Sequence, residues 1–259
     1  MLKGICKTTL IPMRKEPFES SEMVSQVLFG DTYTIIDEVK NWYKIKLDFD
    51  GYLGWIDAKL INLIDESVFL NIEISETYVT DKLITTATIK GEAGIFYLLA
   101  GSTLYNLRGN NFTIAENNYQ LTFPISSTTF TKSETIIFAA LQFVNIPYIW
   151  GGRSSFGLDC SGLVQTACKI GGFKVARDSS QQALDGELIN SIDDAKPSDL
   201  LFFENENRKI VHVGILLSPG KIIHSSGYVR IDTVDKVGIF NQDRKEYTHK
   251  LKIIKRFIQ

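Results

Sequence analysis

The sequence predicts an α+β chain in three parts: two small β-barrels, then a domain whose helices precede an antiparallel sheet. Three observations carry this. The first half is built of short runs rich in Val, Ile, Tyr and Trp, split by turn residues. Thr131 and Glu134 then have capping-box spacing ahead of a helical apolar repeat. After a second helical stretch near Cys160, the chain returns to apolar strands, and helices followed by strands read as α+β.

The elements follow in order. "VSQVLFGDTYTIIDEVKNWYKIKLDFDGYLGWIDAKLI" holds strands separated by "FGD", "VKN" and "DFDG", each with turn chemistry. In "WYKIKL", Tyr43, Ile45 and Leu47 alternate with Lys44 and Lys46, the pattern of a half-buried strand. Residues 63–125 offer similar short strands between Gly and Asn turns, as a diverged second copy would. Modules this small bury only about 60% of their chain surface, so both are expected to lean on a larger neighbour. The expected domains are 1–62, 63–125 and 126–259. Within the last, Ile136, Ile137, Ala140, Leu141 and Val144 recur at helical intervals, and Asn145 and Pro147 end that helix. Cys160 precedes Leu163, Val164, Ala167 and Ile170, which predicts a helix starting at Asp159 or Cys160. "DLLFF", "KIVHVGILL", "KIIHSS" and "HKLKIIKRFI" supply the strands, and Asp199 is expected to hold the start of the first of them.

Composition narrows the function classes. A net charge of -2 and 44% hydrophobic residues give no general pull toward nucleic acid or an anionic membrane. No stretch approaches the 18 apolar residues of a membrane span. The opening "MLKGICKTTLIPMRKEP" lacks a signal-peptide core, so a cytoplasmic location is expected, or a periplasmic or secreted one if a leader has been removed. Cys6, Cys160 and Cys168 cannot make a disulfide framework, and no His lies at zinc-finger spacing from a Cys, so neither a metal nor a cofactor is expected.

Cys160 at a helix start could be packing, a ligand or a nucleophile. The first-turn N–H groups and the helix dipole favour a thiolate there. A thiol of pKa ~8.5 is about 3% ionised at pH 7, and one of ~6 roughly 90%. Asp159 opposes this unless its carboxylate caps the helix or faces a cation. Cys168, eight residues on, lies about 80° around the helix and is read as packing. His212 and His224 flank "SPG". A three-residue loop pairs Leu217 with Lys221, which makes the two rings diagonal neighbours on one face, about 7–8 Å apart by backbone. A four-residue loop would separate them. A thiol, a base and a third group that orients the base form a nucleophilic constellation, with His212 as base and His224 as orienter. His249, in the charged "DRKEYTHK", is read as surface.

These residues resemble a family. "PYIWGGRSSFGLDCSGLVQ", "DLLFF", "VHVGILL" and "KIIHSSG" look like the NlpC-type (NlpC/p-sixty) papain-like cysteine peptidases of bacterial cell-wall peptides. The resemblance implies a papain-like α+β catalytic domain, with Cys160 as nucleophile, His212 as base and His224 as its polar partner. Tyr148, twelve residues before Cys160, is implied to stabilise the oxyanion; the Cys160 N–H is a natural second donor.

"SEMVSQVLFGD" and "DGYLGWI" resemble bacterial SH3-type domains, the first copy well and the second poorly. The combined architecture resembles the γ-D-glutamyl-L-diamino acid endopeptidases. It implies cleavage between L-Ala-γ-D-Glu and a diamino acid in short murein peptides with a free L-Ala amine, the first SH3-type domain limiting the site to short, unblocked peptides. An ammonium in a closed pocket needs carboxylates, carbonyls or aromatic faces. Asp159 is the expected partner, with Tyr52, Ser161, Ser179 and Glu16 as further substrate contacts by resemblance. The competing readings are a non-catalytic wall-binding protein and a thiol amidase or acyltransferase on the same core. The expected partner is a short peptidoglycan peptide, with no nucleic acid and no membrane.

Overall fold

The computed structural model describes residues 1–124 and 130–258, so the boundary expected at 125/126 lies outside the described residues. The chain divides into two compact units, Met1–Thr128 and Thr129–Gln259.

The first unit opens with β1 (Lys3–Ile5), β2 (Leu10–Arg14), β3 (Met23–Leu28), β4 (Thr32–Val39), β5 (Trp42–Leu47), β6 (Leu53–Asp57) and β7 (Leu63–Ile64). They pair antiparallel in the order β3-β2-β6-β5-β4-β1-β7. The strand ends fall at the expected turns. Alternation in β5 buries Ile45 and Leu47 with Ile11, Met13, Val27, Tyr33 and Ile56, while Lys46 stays exposed. Lys3 pairs with Ile64, so this sheet runs past the boundary expected at 62/63.

A short helix, α1 (Glu66–Glu73), stands where only strands were expected; it buries Phe69 and Ile72, one helical turn apart. A second sheet follows, formed by β8 (Thr77–Val79), β9 (Ile84–Ile89), β10 (Phe96–Leu99), β11 (Thr103–Arg108), β12 (Asn111–Ile114) and β13 (Asn117–Leu121). Phe112 stacks on Tyr119 at 5.0 Å between ring centres, and Phe29, in the turn after β3, meets both edge-on. The two modules thus share one core. Gly30 is required at the junction: its φ is +81°, and a Cβ would lie 1.9 Å from the Thr103 carbonyl oxygen.

In the second unit, α2 (Lys132–Gln142) carries the expected capping box of Thr131 and Glu134. It stops at Gln142, short of the expected Val144, and Asn145 takes a left-handed φ of 71°. A minimal hairpin of β14 (Arg153–Ser154) and β15 (Gly157–Leu158) leads into α3 (Cys160–Ile170), and α4 (Ser179–Gln182) follows. The strands are β16 (Glu187–Ile189), β17 (Leu200–Glu204), β18 (Ile210–Ser218), β19 (Lys221–Ser226), β20 (Tyr228–Val234), β21 (Gly238–Asn241) and β22 (Glu246–Arg256). Their order is β16-β22-β17-β18-β19-β20-β21, and β21 pairs back onto β22. Six strands therefore close a barrel, with β16 as an outer edge. Leu201, Phe203, Leu216, Ile222, Val234, Ile239 and Ile254 form one buried cluster of this sheet.

α3 is buried on its polar side as well as its apolar one, and its polar groups find partners. Gln165 Nε2 donates to the Val175 carbonyl at 3.1 Å, and Thr166 Oγ1 to that of Arg153 at 3.0 Å. Asp199 does hold the start of β17, accepting from the Lys196 N–H and from two Arg256 nitrogens on β22. Among the described residues, no helix is long and apolar enough to cross a membrane.

Candidate active site

α3 begins at Cys160 and is capped by Asp159, whose Oδ1 accepts from the Gly162 N–H at 2.7 Å. The "WGG" and "DCSG" segments are one construction. Asp159 Oδ2 accepts from the Gly151 N–H at 2.9 Å, and a Cβ on Gly162 would sit 2.1 Å from the Gly152 carbonyl oxygen. The glycines let the loop lie flat on the first turn of α3. Ser225 Oγ, next to His224, donates to the Leu158 carbonyl at 2.7 Å, which ties the approach to Cys160 to strand β19.

The sulfur of Cys160 is buried, with the backbone N–H groups of Val213 and Ser161 turned toward it. Val213 follows His212, so the thiol lies beside the strand that carries the expected base. Thiolate activation by helix position does not hold in this structure. Burial, and then the Asp159 charge, push the Cys160 thiol up to about 12, outweighing the two N–H groups and Arg177. The resting group is a neutral thiol.

His212 and His224 do share a face, through a device the sequence did not show. β18 and β19 turn on Pro219 and Gly220, with Ser218 opposite Lys221. That two-residue turn would put the rings on opposite faces, but the register shifts between Leu216 and Ser218, so Gly214 pairs with His224. The bulge restores the odd count. His212 Nε2 then lies 2.9 Å from His224 Nδ1. His224 Nε2 lies 3.1 Å from Asp232 Oδ2 on β20, and Arg230 Nε is 2.8 Å from the same oxygen. Burial raises the Asp232 carboxyl, yet hydrogen bonds from His224 and Arg230 outweigh it and hold the pKa below the ordinary value.

These contacts set the tautomers. An ionised Asp232 only accepts, so His224 carries its proton on Nε2 and presents a bare Nδ1. His212 must then donate through Nε2–H, which leaves its Nδ1 basic. Burial, with His249 and His224 adding to it, lowers His212 well below the usual imidazole pKa, so it is a neutral base at neutral pH.

His249 is not a surface residue. Its ring stacks on His212 at 4.1 Å between centres and 27° between planes, and burial lowers its pKa to about 4. Closure of the barrel brings it there, opposite Ile239. The ligand atoms of His212, His224 and His249 lie within 4.8 Å of one another, a spacing a metal could use. However, the 2.9 Å bond engages two of these nitrogens, and stacked rings point their lone pairs nearly parallel rather than at one point. Within the cluster, His212 and His224 are joined by a hydrogen bond, and His249 only stacks on His212.

Asp159 does not stand as a lone carboxylate. Arg177, itself buried, donates to it through Nη2 at 2.6 Å and Nη1 at 3.0 Å, and also to Ser161 Oγ at 2.9 Å. Ser161 Oγ donates to Asp159 Oδ1 at 3.1 Å. Both expected substrate contacts are thus members of an internal network. Ser179 starts α4, half-buried, two residues beyond Arg177. Tyr148 is half-buried, with its N–H on the Gly227 carbonyl; burial and then the nearby Cys160 and Asp159 charges raise its phenol pKa and keep it a donor. In the first unit, Tyr52 packs on the core of the first sheet and Glu16 is exposed between β2 and β3. Cys168 is buried packing, raised to about 12 by that burial.

Sequence reasoning missed Asp232, Arg230 and Arg177. The first two had a signal: "YVRIDTV" puts Arg230 and Asp232 on one strand face, and a turn at Gly227 brings that face opposite His224. Arg177 had none, because it reaches Asp159 from a loop.

Comparison with known proteins agrees with this geometry. The NlpC/P60 family pattern matches residues 145–249, and the bacterial dipeptidyl-peptidase SH3 domain pattern matches 13–61. A γ-D-glutamyl-L-lysine dipeptidyl-peptidase of Bacillus subtilis is 30% identical over 223 residues, which is 78% of this chain and 71% of that protein. Dipeptidyl-peptidase 6 of Lysinibacillus sphaericus is 26% identical over 85% of this chain and 88% of its own. In fold, the chain is similar to an NlpC/P60 family protein from Bacillus cereus, with a TM-score of 0.82 at 18% identity, covering 99% of this chain and 100% of that one. The chain, an SH3-like β region followed by a papain-like α+β domain, belongs to the NlpC/P60 family of cysteine peptidases.

Proposed function

We propose that the protein hydrolyses the bond between γ-D-glutamate and an L-diamino acid in short murein peptides whose N-terminal L-Ala is free, a step in cell-wall peptide recycling. The observation that carries the chemistry is the hydrogen-bonded line His212, His224, Asp232, which leaves one basic nitrogen, His212 Nδ1, for the proton of the Cys160 thiol held beside the same strand at Val213. The substrate class is supported by the relatives named γ-D-glutamyl-L-lysine dipeptidyl-peptidase and by the dipeptidyl-peptidase SH3 pattern.

Cys160 and His212 start neutral. As sulfur attacks the γ-glutamyl carbonyl, His212 Nδ1 takes the thiol proton, and the imidazolium is stabilised through His224 by Asp232. The Cys160 N–H and the Tyr148 hydroxyl meet the oxyanion. His212 gives its proton to the leaving amine, then activates the water that frees L-Ala-D-Glu. Asp159 is the proposed partner of the L-Ala ammonium. With Arg177 at 2.6 Å it offers an acceptor more than a net charge. Ser161, Ser179, Tyr52 and Glu16 are proposed as further contacts, each tested by its effect on KM.

The test compares L-Ala-γ-D-Glu-diaminopimelate with its N-acetylated form. Release of the diamino acid from the free-amine peptide alone supports the reading. Equal release from both removes the amine-recognition role, and release from neither overturns the peptidase assignment.

A further inference from the structure

A pocket of about 990 Å³ lies at one end of the barrel in the second unit, lined by Glu204, Glu206 and Arg208 on one side and by Tyr247, His249 and Lys250 on the other. His249 joins it to the chemistry, since the residue that lines the pocket also stacks on the His212 ring at 4.1 Å. The lining carries both signs of charge. Glu204 is committed: Lys250 and Lys252 hold it at 3.0 Å and 2.8 Å, and their hydrogen bonds lower its pKa to about 2. Glu206, in the exposed hairpin loop, has no ion pair or hydrogen bond among the described residues. Lys250 and Arg208 are each more than two-thirds exposed, and Arg208 reaches Glu204 only at 3.8 Å. A lysine ammonium has three N–H donors and a guanidinium five, so both keep donors for an incoming anion.

We propose that this pocket holds the leaving group of the reaction, an amino acid with a free α-carboxylate and a second, cationic amine on its side chain. The inference rests on the function proposed above. The leaving nitrogen must receive its proton from His212, so the leaving group departs along that imidazole, whose stacked neighbour His249 forms the pocket wall. Lys250 and Arg208 take the α-carboxylate, and Glu206 takes the side-chain ammonium. His249 keeps the His212 ring in plane from one face while presenting the pocket from the other.

The experiment measures kcat/KM for L-Ala-γ-D-Glu-L-Lys, for the same peptide ending in L-norleucine, and for the L-Lys peptide with its carboxylate amidated. The wild-type protein is compared with Glu206→Gln and Lys250→Ala. The lysine peptide is expected to exceed the norleucine peptide about tenfold or more, and Glu206→Gln to bring that ratio toward one. Lys250→Ala is expected to reduce the preference for carboxylate over amide. Equal rates for all three peptides in the wild-type protein, or ratios unmoved by both variants, overturn the pocket assignment and leave the peptidase reading standing. No turnover of any peptide overturns both.

Discussion

His212 and His224 meet nitrogen to nitrogen at 2.9 Å, with ring planes at 89°. One proton sits between them, and Asp232 decides on which ring. Asp232→Ala removes the acceptor for His224 Nε2–H, so His224 is free to move its proton to Nδ1 and force the wrong tautomer on His212. We expect kcat to fall by roughly 10²–10⁴, as when a triad carboxylate is lost. Asp232→Asn replaces one acceptor oxygen with an NH2 donor between His224 and Arg230, which favours the same wrong tautomer, so its loss is expected to be comparable, up to about 10⁴. Imidazole ¹⁵N spectra read the tautomers directly. Full activity in Asp232→Ala, with an unchanged His224 signal, would remove Asp232 from the relay.

A neutral resting thiol predicts a distinctive reactivity. Because Cys160 is held at about 12, the rate of its alkylation by iodoacetamide rises with pH through 9 and shows no plateau between pH 5 and 8. Cys160→Ala supplies the background from Cys6 and Cys168, both buried free thiols. A plateau in that range marks a preformed thiolate–imidazolium pair and contradicts the neutral resting state.

Stability depends on pH from both sides. His212 and His249 have folded pKa values below their unfolded ones, so the unfolded chain binds more protons as pH falls. Their contribution is full above about 6.5 and is lost toward about 4, the folded value of His249. Cys160 and Cys168 are raised to about 12, so their contribution is full below the unfolded thiol range and is lost as pH rises above it. The melting temperature is expected to be flat between roughly pH 6.5 and 8.5 and to drop on either side. His249→Gln should soften the acid limb, and an unchanged acid limb would show that His249 titrates freely in the folded protein.

Arg177 and Asp159 form a buried pair, 1% and 9% exposed at their side chains. Arg177→Met leaves the Asp159 carboxylate without its cation and is expected to cost about 3–5 kcal/mol of unfolding free energy in urea. Replacing both, by Arg177→Met with Asp159→Asn, should cost less than Arg177→Met alone. A larger loss in the double variant would mean that the pair stabilises by packing.

Much of the architecture was legible because it is local. Capping at Thr131, the start of α3 at Cys160 and the alternation in β5 depend on residues a few positions apart, where periodicity and side-chain chemistry act directly. Cys160, His212 and His224 stood out as candidates for the same reason, as short motifs in order. α1 was missed because eight residues of mixed polarity resemble the strands around them. The bulge near Leu217 left no signal either, since it depends on how β19 seats in the barrel.

Residue type, order and spacing in the sequence alone determined the fold class and singled out Cys160, His212 and His224 as candidates. Only the tertiary structure decided their state. Burial made the thiol neutral, because taking a charge from water costs more than a helix start returns. Barrel closure turned His249 from an apparent surface residue into a ring stacked on His212. Long-range pairing placed Asp232 behind His224 and Arg177 on Asp159, because hydrogen bonds between distant segments form only where the fold brings their strands and loops together.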